Sequence, residues 1–113
     1  MKIRQQRVRA RGIKFTCRRD GRVAGRAFLY ILRNDLHDRP FGLLEDVFVE
    51  PDCRGQGLAS ELVREVIAAA RQAGCYKLVA TSRHERAKVH ELYFRLGFRS
   101  RGLEFRIDLD ENR

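Results

Sequence analysis

Residues 41 to 82 place a strand pattern, a glycine-rich turn, an amphipathic helix and a second strand pattern one after another. The first run, FGLLEDVFVEP, has the apolar density of a central strand buried on both faces, and Pro51 ends it. The helix predicted from about Gly57 to Ala73 carries its apolar side chains on one broad stripe, and Gly74 supplies a left-handed C-cap. With YKLVATS as a short buried strand after it, the pattern predicts a parallel, right-handed β-α-β unit.

Further elements flank this unit on both sides. GIKFTCRR and RVAGRAFLYILR alternate as two half-buried strands, joined by a tight hairpin turn at Asp20-Gly21, and Gly25 is a candidate bulge. A second amphipathic helix is predicted over about residues 85–96 with Gly97 as its C-cap, and LEFRIDL alternates as a last strand. The order β, β, β, α, β, α, β predicts an α+β fold with a mixed sheet around a parallel unit.

Length and composition narrow the class of protein. A chain of 113 residues suits one domain, residues 1–113, and no stretch of it approaches the roughly 20 apolar residues that cross a bilayer. Its cysteines, Cys17, Cys53 and Cys75, include no CxxC pair, which argues against a disulfide framework and a zinc site. The first residues also lack the apolar run of a signal peptide. The sequence therefore predicts a cytoplasmic domain that holds no metal.

All of the net charge lies in residues 1–26. They contain ten Lys or Arg side chains against one acid, Asp20, whereas residues 27–113 contain 14 basic and 14 acidic side chains. Such a basic strand pair could steer an anionic ligand, an acidic acceptor or nucleic acid. No aromatic residues are interleaved for base stacking, so a solvated arginine-rich face is an equal alternative.

The turn RGQG, just before the first helix, is the candidate binding element. A helix N-terminus presents unpaired N–H groups and a partial charge of about +0.5, so a phosphate is stabilised there. A diphosphate reaches these donors only if the first turn lacks bulky side chains, which Gly55, Gly57 and Ala59 satisfy, while Arg54 and Gln56 can donate from the rim. The spacing fits neither a P-loop nor the GxGxxG dinucleotide fingerprint. A simple tight connection is the alternative.

Two stretches resemble the GNAT N-acetyltransferase superfamily. VEPDCRGQGLASEL resembles motif A of that family, Gln/Arg-x-x-Gly-x-Gly/Ala after a strand ending in Val-x-Pro. VHELYFRLGF resembles its second-helix signature, in which Tyr93 precedes Gly97 by four residues. The resemblance covers roughly residues 41–109. It implies a GNAT-like acyl-CoA N-acyltransferase fold and transfer of the acetyl group of acetyl-CoA to a primary amine by direct attack. The positions of motif A are filled by Arg54, Gly57 and Ala59.

The resemblance also implies where acetyl-CoA would lie. Its diphosphate would rest on residues 54–59, and its pantetheine arm would enter a cleft beside the strand that ends at Val49. Main-chain groups of Phe48 and Val49 would pair with that arm, and an N–H there would stabilise the oxyanion. Arg86 stands where the family often has an asparagine and is assigned to a CoA phosphate. The predicted cofactor-binding residues are Phe48, Val49, Arg54, Gly55, Gln56, Gly57, Leu58, Ala59, Ser60 and Arg86.

The family reaction needs a general base, because an acceptor ammonium has no lone pair with which to attack the thioester. Glu45 and Asp46 are the adjacent acids nearest the predicted cleft, and strand alternation directs them to opposite faces. Glu45 is the predicted base, and Asp46 is either the alternative base or a contact to the acceptor. Pairing of both acids with surface arginines is the structural alternative. Tyr93 is the predicted proton donor to the CoA thiolate, with a core tyrosine as its alternative.

The acceptor side of the site departs from the family. The usual member has two helices between its first two strands, which roof the acceptor pocket, whereas residues 1–40 hold little besides the hairpin. This predicts an open acceptor site for a protein, peptide or other bulky amine, or one completed by a second subunit in a homodimer. Two other hypotheses stay open: a CoA-binding sensor without catalysis, and a small basic nucleic-acid-binding protein that uses residues 1–26.

Overall fold

The computed structural model describes residues 1–82 and 86–110, and the fold it shows is a mixed sheet with two helices. A four-stranded sheet has the order β1-β2-β3-β4, which confirms the predicted α+β class. Two compact units, Met1–Ala80 and Thr81–Arg113, are distinguished. The elements are β1 (Ala10–Arg19), β2 (Arg22–Leu32), β3 (Phe41–Val49), α1 (Leu58–Gln72), β4 (Leu78–Ala80) and α2 (Ala87–Arg95), with a 3-10 turn at Pro51–Cys53.

The first unit begins with the predicted hairpin. β1 and β2 are antiparallel, and Asp20 and Gly21 join them with φ of 50° and 80°, the pair of left-handed residues that a tight turn requires. No helix lies between the two strands. Cys17 faces Gly25 and Arg18 faces Val23, so one extra residue of β2 forms a bulge beside Gly25, as predicted.

The β-α-β unit follows, with β3 antiparallel to β2 and parallel to β4. α1 covers one face of the sheet, and the largest fully buried side chains come from the two layers. On β3, Gly42 and Leu44 are buried, whereas Leu43 and Glu45 on the other face are half-buried. The prediction that β3 is buried on both faces is therefore wrong, because α1 covers only one of them. The fully buried large residues are Leu29, Leu44, Val63 and Val66.

α1 ends as the sequence predicts. The N–H of Gly74 donates to the Arg71 carbonyl (3.0 Å) and the N–H of Cys75 donates to the Ala70 carbonyl (3.0 Å), while Gly74 has a φ of 82°. This is the Schellman arrangement, in which the two residues after the helix satisfy its last free carbonyls. β4 is shorter than the predicted strand, because it pairs with just three residues of β3, 42–44. Its own residues are only half-buried.

The second unit contains α2 and an extended segment. α2 spans Ala87–Arg95, and the predicted start at Glu85 lies outside the described residues. Gly97, with a φ of 102°, ends it in the same way as Gly74 ends α1, because Phe98 donates to the Tyr93 carbonyl at 2.9 Å. The rings of Tyr93 and Phe98 lie 5.1 Å apart, which supplies the hydrophobic contact expected of this cap.

The predicted last strand, residues 103–109, is not formed. Residues 99–110 have no regular secondary structure, and Leu103, Phe105, Ile107 and Leu109 are 76 to 88% exposed. An alternating sequence becomes a strand only when another strand satisfies its backbone N–H and C=O groups, and no described strand pairs with this segment. The prediction is therefore corrected.

Candidate active site

The coil between β3 and α1 exposes the first amides of the helix. Gly55 and Gly57 have φ of 79° and 82°, and Gly57 is the N-cap of α1 without any side-chain capping hydrogen bond. The first helical bond runs from the Glu61 N–H to the Gly57 carbonyl, at 3.1 Å. The amides of residues 58–60 precede it and have no partner within the helix. They form the positive end of the α1 dipole.

The space beside the two glycines is open. A Cβ built on Gly55 or Gly57 would meet no protein atom within 4 Å. No neighbouring protein atom therefore excludes a larger residue at these positions. Glycine is instead favoured by the left-handed backbone, and it lets a ligand approach the coil closely. An open rim with several inward amides at a helix N-terminus fits a diphosphate, so the residues present suit the phosphate end of CoA.

β3 continues beyond the end of β4, and we call the space left beside its last residues the wedge. The two strands pair only at 42–44 with 78–80, and β3 then continues for five more residues to Val49. Along that stretch the edge of β3 that faces away from β2 has no strand beside it in the described part of the chain. A strand edge of this kind presents backbone donors and acceptors to an extended ligand.

Backbone alternation identifies which groups of β3 reach that edge. The Glu50 N–H donates to the Ala24 carbonyl of β2 at 2.8 Å, and a Cβ on Gly25 would lie 3.0 Å from the Phe48 carbonyl oxygen. Phe48 and Glu50 thus direct their main chains toward β2, and Val49 directs its own toward the wedge. The Val49 carbonyl there accepts a hydrogen bond from Arg54 Nε at 2.8 Å. Of the two predicted residues, Val49 is the better placed to pair with a ligand.

A bulge in β3 carries the two candidate bases. Phe28 faces Glu45 and Arg26 faces Phe48, so β3 has one residue more than β2 between these pairs. Asp46 lies in the bulge with a φ of 53°, which is uncommon for a residue other than glycine.

Arg26 holds the bulge from β2. Its Nε and Nη2 donate to the two Asp46 carboxylate oxygens at 2.8 and 3.2 Å, and its guanidinium lies 4.7 Å from the centre of the Phe48 ring. The hydrogen bond to Arg26, with its charge, holds the pKa of Asp46 below the usual range. Asp46 is thus kept ionised and partnered, which makes it a weak proton acceptor.

Glu45 lies on the sheet face opposite α1. It is half-buried beside Phe28 and forms no ion pair within residues 1–82 and 86–110. Arg26, which binds Asp46, belongs to the same face, so the Asp46 carboxylate is held on that face as well. The prediction that they point to opposite faces is wrong, because the bulge interrupts the alternation at Asp46.

Comparisons with known proteins agree with this geometry. Residues 2–98 match the model of the Acetyltransferase (GNAT) family. The chain is 36% identical over 90 residues to the glucosamine 6-phosphate N-acetyltransferase of Trypanosoma brucei brucei. The aligned residues cover 79% of this chain and 59% of that protein. It is 32% identical to the aminoglycoside N(6')-acetyltransferase type 1 of Stenotrophomonas maltophilia, which covers 96% of this chain and 74% of that protein. The chain belongs to the GNAT family of acetyltransferases.

The fold of this GNAT chain agrees with a solved structure. A crystal structure of an acetyltransferase from Trypanosoma brucei superposes with a TM-score of 0.79 at 34% identity, over 87% of this chain and 69% of that chain. The predicted family and fold are thus confirmed. The chain spans 59% of the length of the trypanosomal glucosamine 6-phosphate N-acetyltransferase.

The predicted site residues of this GNAT chain fall into the two units. Glu45, Asp46, Phe48, Val49 and residues 54–60 belong to the first unit, around the end of β3 and the start of α1. Tyr93 is on α2 and Arg86 is its exposed N-cap residue, both in the second unit. The roles assigned to Tyr93 and Arg86 stay predictions.

The contacts of three arginines, Arg19, Arg22 and Arg26, were not predicted from the sequence. Arg26 was not predicted as a partner of Asp46, although the alternation of β2 and the hairpin register place it opposite Phe48. The bulge at Asp46 has no sequence signal, since it contains no glycine. The contacts of Arg19 with Gln56 and of Arg22 with Asp52 also depend on where the hairpin lies relative to the coil and the turn before it.

Cys53 is the last residue of the 3-10 turn that precedes the glycine coil. It is buried, and desolvation raises the pKa of its thiol, which disfavours the nucleophilic thiolate. No group of metal-ligating side chains occurs among the residues that the structure describes. No helix in that part of the chain has the length and hydrophobicity that a membrane span needs.

Proposed function

We propose that this chain is an acetyl-CoA-dependent N-acetyltransferase that transfers the acetyl group to a primary amine by direct attack. One observation carries the proposal: two left-handed glycines with open space beside them precede the unpaired first amides of α1, inside the region that matches the GNAT family. Left-handed glycines also serve a simple tight connection, so the proposal depends on their place at the start of α1 within the family match.

The proposed reaction uses Glu45 as general base, directly or through one water. Glu45 accepts a proton from the acceptor ammonium, and the amine nitrogen then attacks the thioester carbonyl carbon. The new C–N bond gives a tetrahedral adduct whose oxyanion accepts a hydrogen bond from a backbone N–H near Val49. The C–S bond breaks, the CoA thiolate takes a proton from Tyr93, the proposed donor, and the second proton released by the amide nitrogen passes through solvent and restores Tyr93. Asp46 forms an ion pair with Arg26, and this supports Glu45 rather than Asp46 as the base.

The acceptor is proposed to be a bulky amine that approaches the sheet face opposite α1. No helix separates β1 from β2, and Tyr30 on this face remains 38% exposed. Lys14 lies on the same face, with its ammonium 5.7 Å from the centre of the Phe28 ring, so an acceptor that also carries an anionic group is favoured there. Two relatives are named for glucosamine 6-phosphate and aminoglycosides, which places amino sugars beside peptides in the first screen.

A free-thiol assay of CoA release tests the reaction, with Glu45→Gln compared with the neighbouring Asp46→Asn. We expect Glu45→Gln to lower kcat by about 10² to 10⁴ while CoA binding is kept, and Asp46→Asn to retain most of the activity. Equal activity of wild type and Glu45→Gln would remove Glu45 from the mechanism. A wild type that binds CoA but acetylates none of the acceptors supports the sensor hypothesis, and one that binds no CoA refutes the proposal.

We further propose that residues 1–113 act as one cytoplasmic domain in a homodimer. The free cysteines, of which Cys17 and Cys75 are partly exposed, suit a reducing compartment. The exposed row formed by Leu103, Phe105, Ile107 and Leu109 supports self-association, because an uncovered apolar row is costly in water. Light scattering should give twice the chain mass, and Phe105→Ser should reduce it; a monomer at all concentrations contradicts the dimer.

A further inference from the structure

The β1–β2 turn contacts the glycine coil through two arginines. The guanidinium of Arg19, the last residue of β1, donates to the side-chain oxygen of Gln56, which stands between the two left-handed glycines. Arg22, the first residue of β2, pairs with the Asp52 carboxylate on the 3-10 turn that leads into the coil. The hairpin therefore brings positive charge from residues 1–26 to the edge of the diphosphate site.

The two arginines differ in how their charge is balanced. Arg22 has a carboxylate partner, whereas Arg19 contacts a neutral amide and forms no ion pair in the described part of the chain. Nη2 of Arg22 also lies 3.6 Å from Sγ of Cys53. Arg19 is thus an exposed cation whose charge is not neutralised, one glutamine side chain away from the open amides.

A guanidinium in this place has a better partner than an amide oxygen. Arg binds a phosphate with two parallel, charge-assisted hydrogen bonds, which are roughly twice as strong as a neutral one. Gln56 is exposed, so the exchange of its contact for a phosphate leaves no buried group unsatisfied.

We propose that Arg19 is a CoA-binding residue that holds a phosphate group of the cosubstrate across the glycine coil from the amides of α1. This inference rests on the proposed function. It assigns a use to part of the N-terminal charge and makes the hairpin one wall of the cosubstrate site. CoA carries a diphosphate and a separate 3′-phosphate on its ribose, and the partner of Arg19 is decided by comparing CoA with 3′-dephospho-CoA.

The test is calorimetric titration of the full chain with CoA and 3′-dephospho-CoA. Arg19→Gln is compared with Arg7→Gln, which removes the same charge from an exposed position in the segment before β1. We expect Arg19→Gln to weaken CoA binding about tenfold or more and Arg7→Gln to change it less than twofold. If the partner is the 3′-phosphate, Arg19→Gln narrows the preference for CoA over 3′-dephospho-CoA. If it is the diphosphate, both ligands weaken equally.

Arg19→Lys separates binding from a structural role. Lysine keeps the charge but not the paired donors, so it should recover part of the lost affinity, and neither variant should alter the melting temperature of the ligand-free chain by more than Arg7→Gln does. Equal affinity of Arg19→Gln and Arg7→Gln for CoA overturns the inference and leaves the proposed function standing. A wild type that binds neither ligand overturns both.

Discussion

α1 and the segment 103–109 both carry a regular row of apolar side chains, but only one of the rows is buried. The row on α1 lies against β1, β2 and β3, and Leu62, Val63 and Val66 are at most 4% exposed. In residues 103–109 the side chains of the row are at least 76% exposed. Both rows are regular, with helical spacing in α1 and alternate residues in 103–109, so the difference in burial lies in the surface that each row meets. Periodicity states which face is apolar, and the available neighbour decides whether that face stabilises the fold.

The largest expected difference between the two regions comes from shortening one leucine in each of them. Leu44 of β3 is 1% exposed under α1, and Leu103 is 76% exposed. Leu44→Ala should lower the free energy of unfolding by about 2–5 kcal/mol, because it leaves a cavity in a packed core. Leu103→Ala removes the same atoms from an exposed position, so at protein concentrations at which the chain is a monomer it should change the free energy of unfolding by less than about 0.5 kcal/mol. Urea unfolding measures both.

An equal loss in the two leucine variants would mean that Leu103 is buried in solution, by a second copy or by the sheet. Repeating the Leu103→Ala measurement at several protein concentrations separates these cases, since only burial between copies depends on concentration.

Two glycines, one in the coil before α1 and one in the exposed segment, allow the backbone conformations of the two regions to be compared. Gly57 has a φ of 82° and Gly102 lies outside the left-handed region, yet a Cβ on either would meet nothing within 4 Å. Gly57→Ala should therefore cost about 1–2 kcal/mol from backbone strain alone, whereas Gly102→Ala should be neutral or slightly stabilising. Thermal unfolding of the two variants measures this difference without any ligand. A neutral Gly57→Ala would show that the coil relaxes out of the left-handed conformation, which would also weaken the assigned diphosphate site.

The elements that the sequence predicts well are those whose signals are local. The hairpin turn at Asp20-Gly21, the length of α1 and the glycine caps at Gly74 and Gly97 each depend on a few adjacent residues, and all of them are formed. The strand at 103–109 depends on a partner elsewhere, which its own residues do not specify.

The candidate site divides in the same way. The glycine coil could be read from its spacing, because the conformation of Gly55 and Gly57 is a property of that short stretch. The bulge at Asp46 and the arginines that meet the site, Arg19 and Arg26, depend on the register between strands. A sequence pattern gives the faces of each strand but not the residue at which two strands slip by one position.

The smallest expected effect compares two arginine–aspartate pairs. Arg26 binds Asp46 across two strands, whereas Arg106 binds Asp108 at 2.7 Å within the exposed segment. The hydrogen bond from Arg26 lowers the pKa of Asp46, so the unfolded chain takes up its proton first as the pH falls. The stabilisation is complete above the ordinary pKa of 3.8 and is lost as the pH drops from there through the lowered pKa of the folded chain. Arg26→Gln should therefore reduce the melting temperature by a few degrees at neutral pH and by less below pH 3, while Arg106→Gln should reduce it less at neutral pH, because its ion pair lies within an exposed segment without regular secondary structure. Equal shifts for the two variants at neutral pH would show that Arg26 adds no more than an exposed pair does and does not hold the bulge.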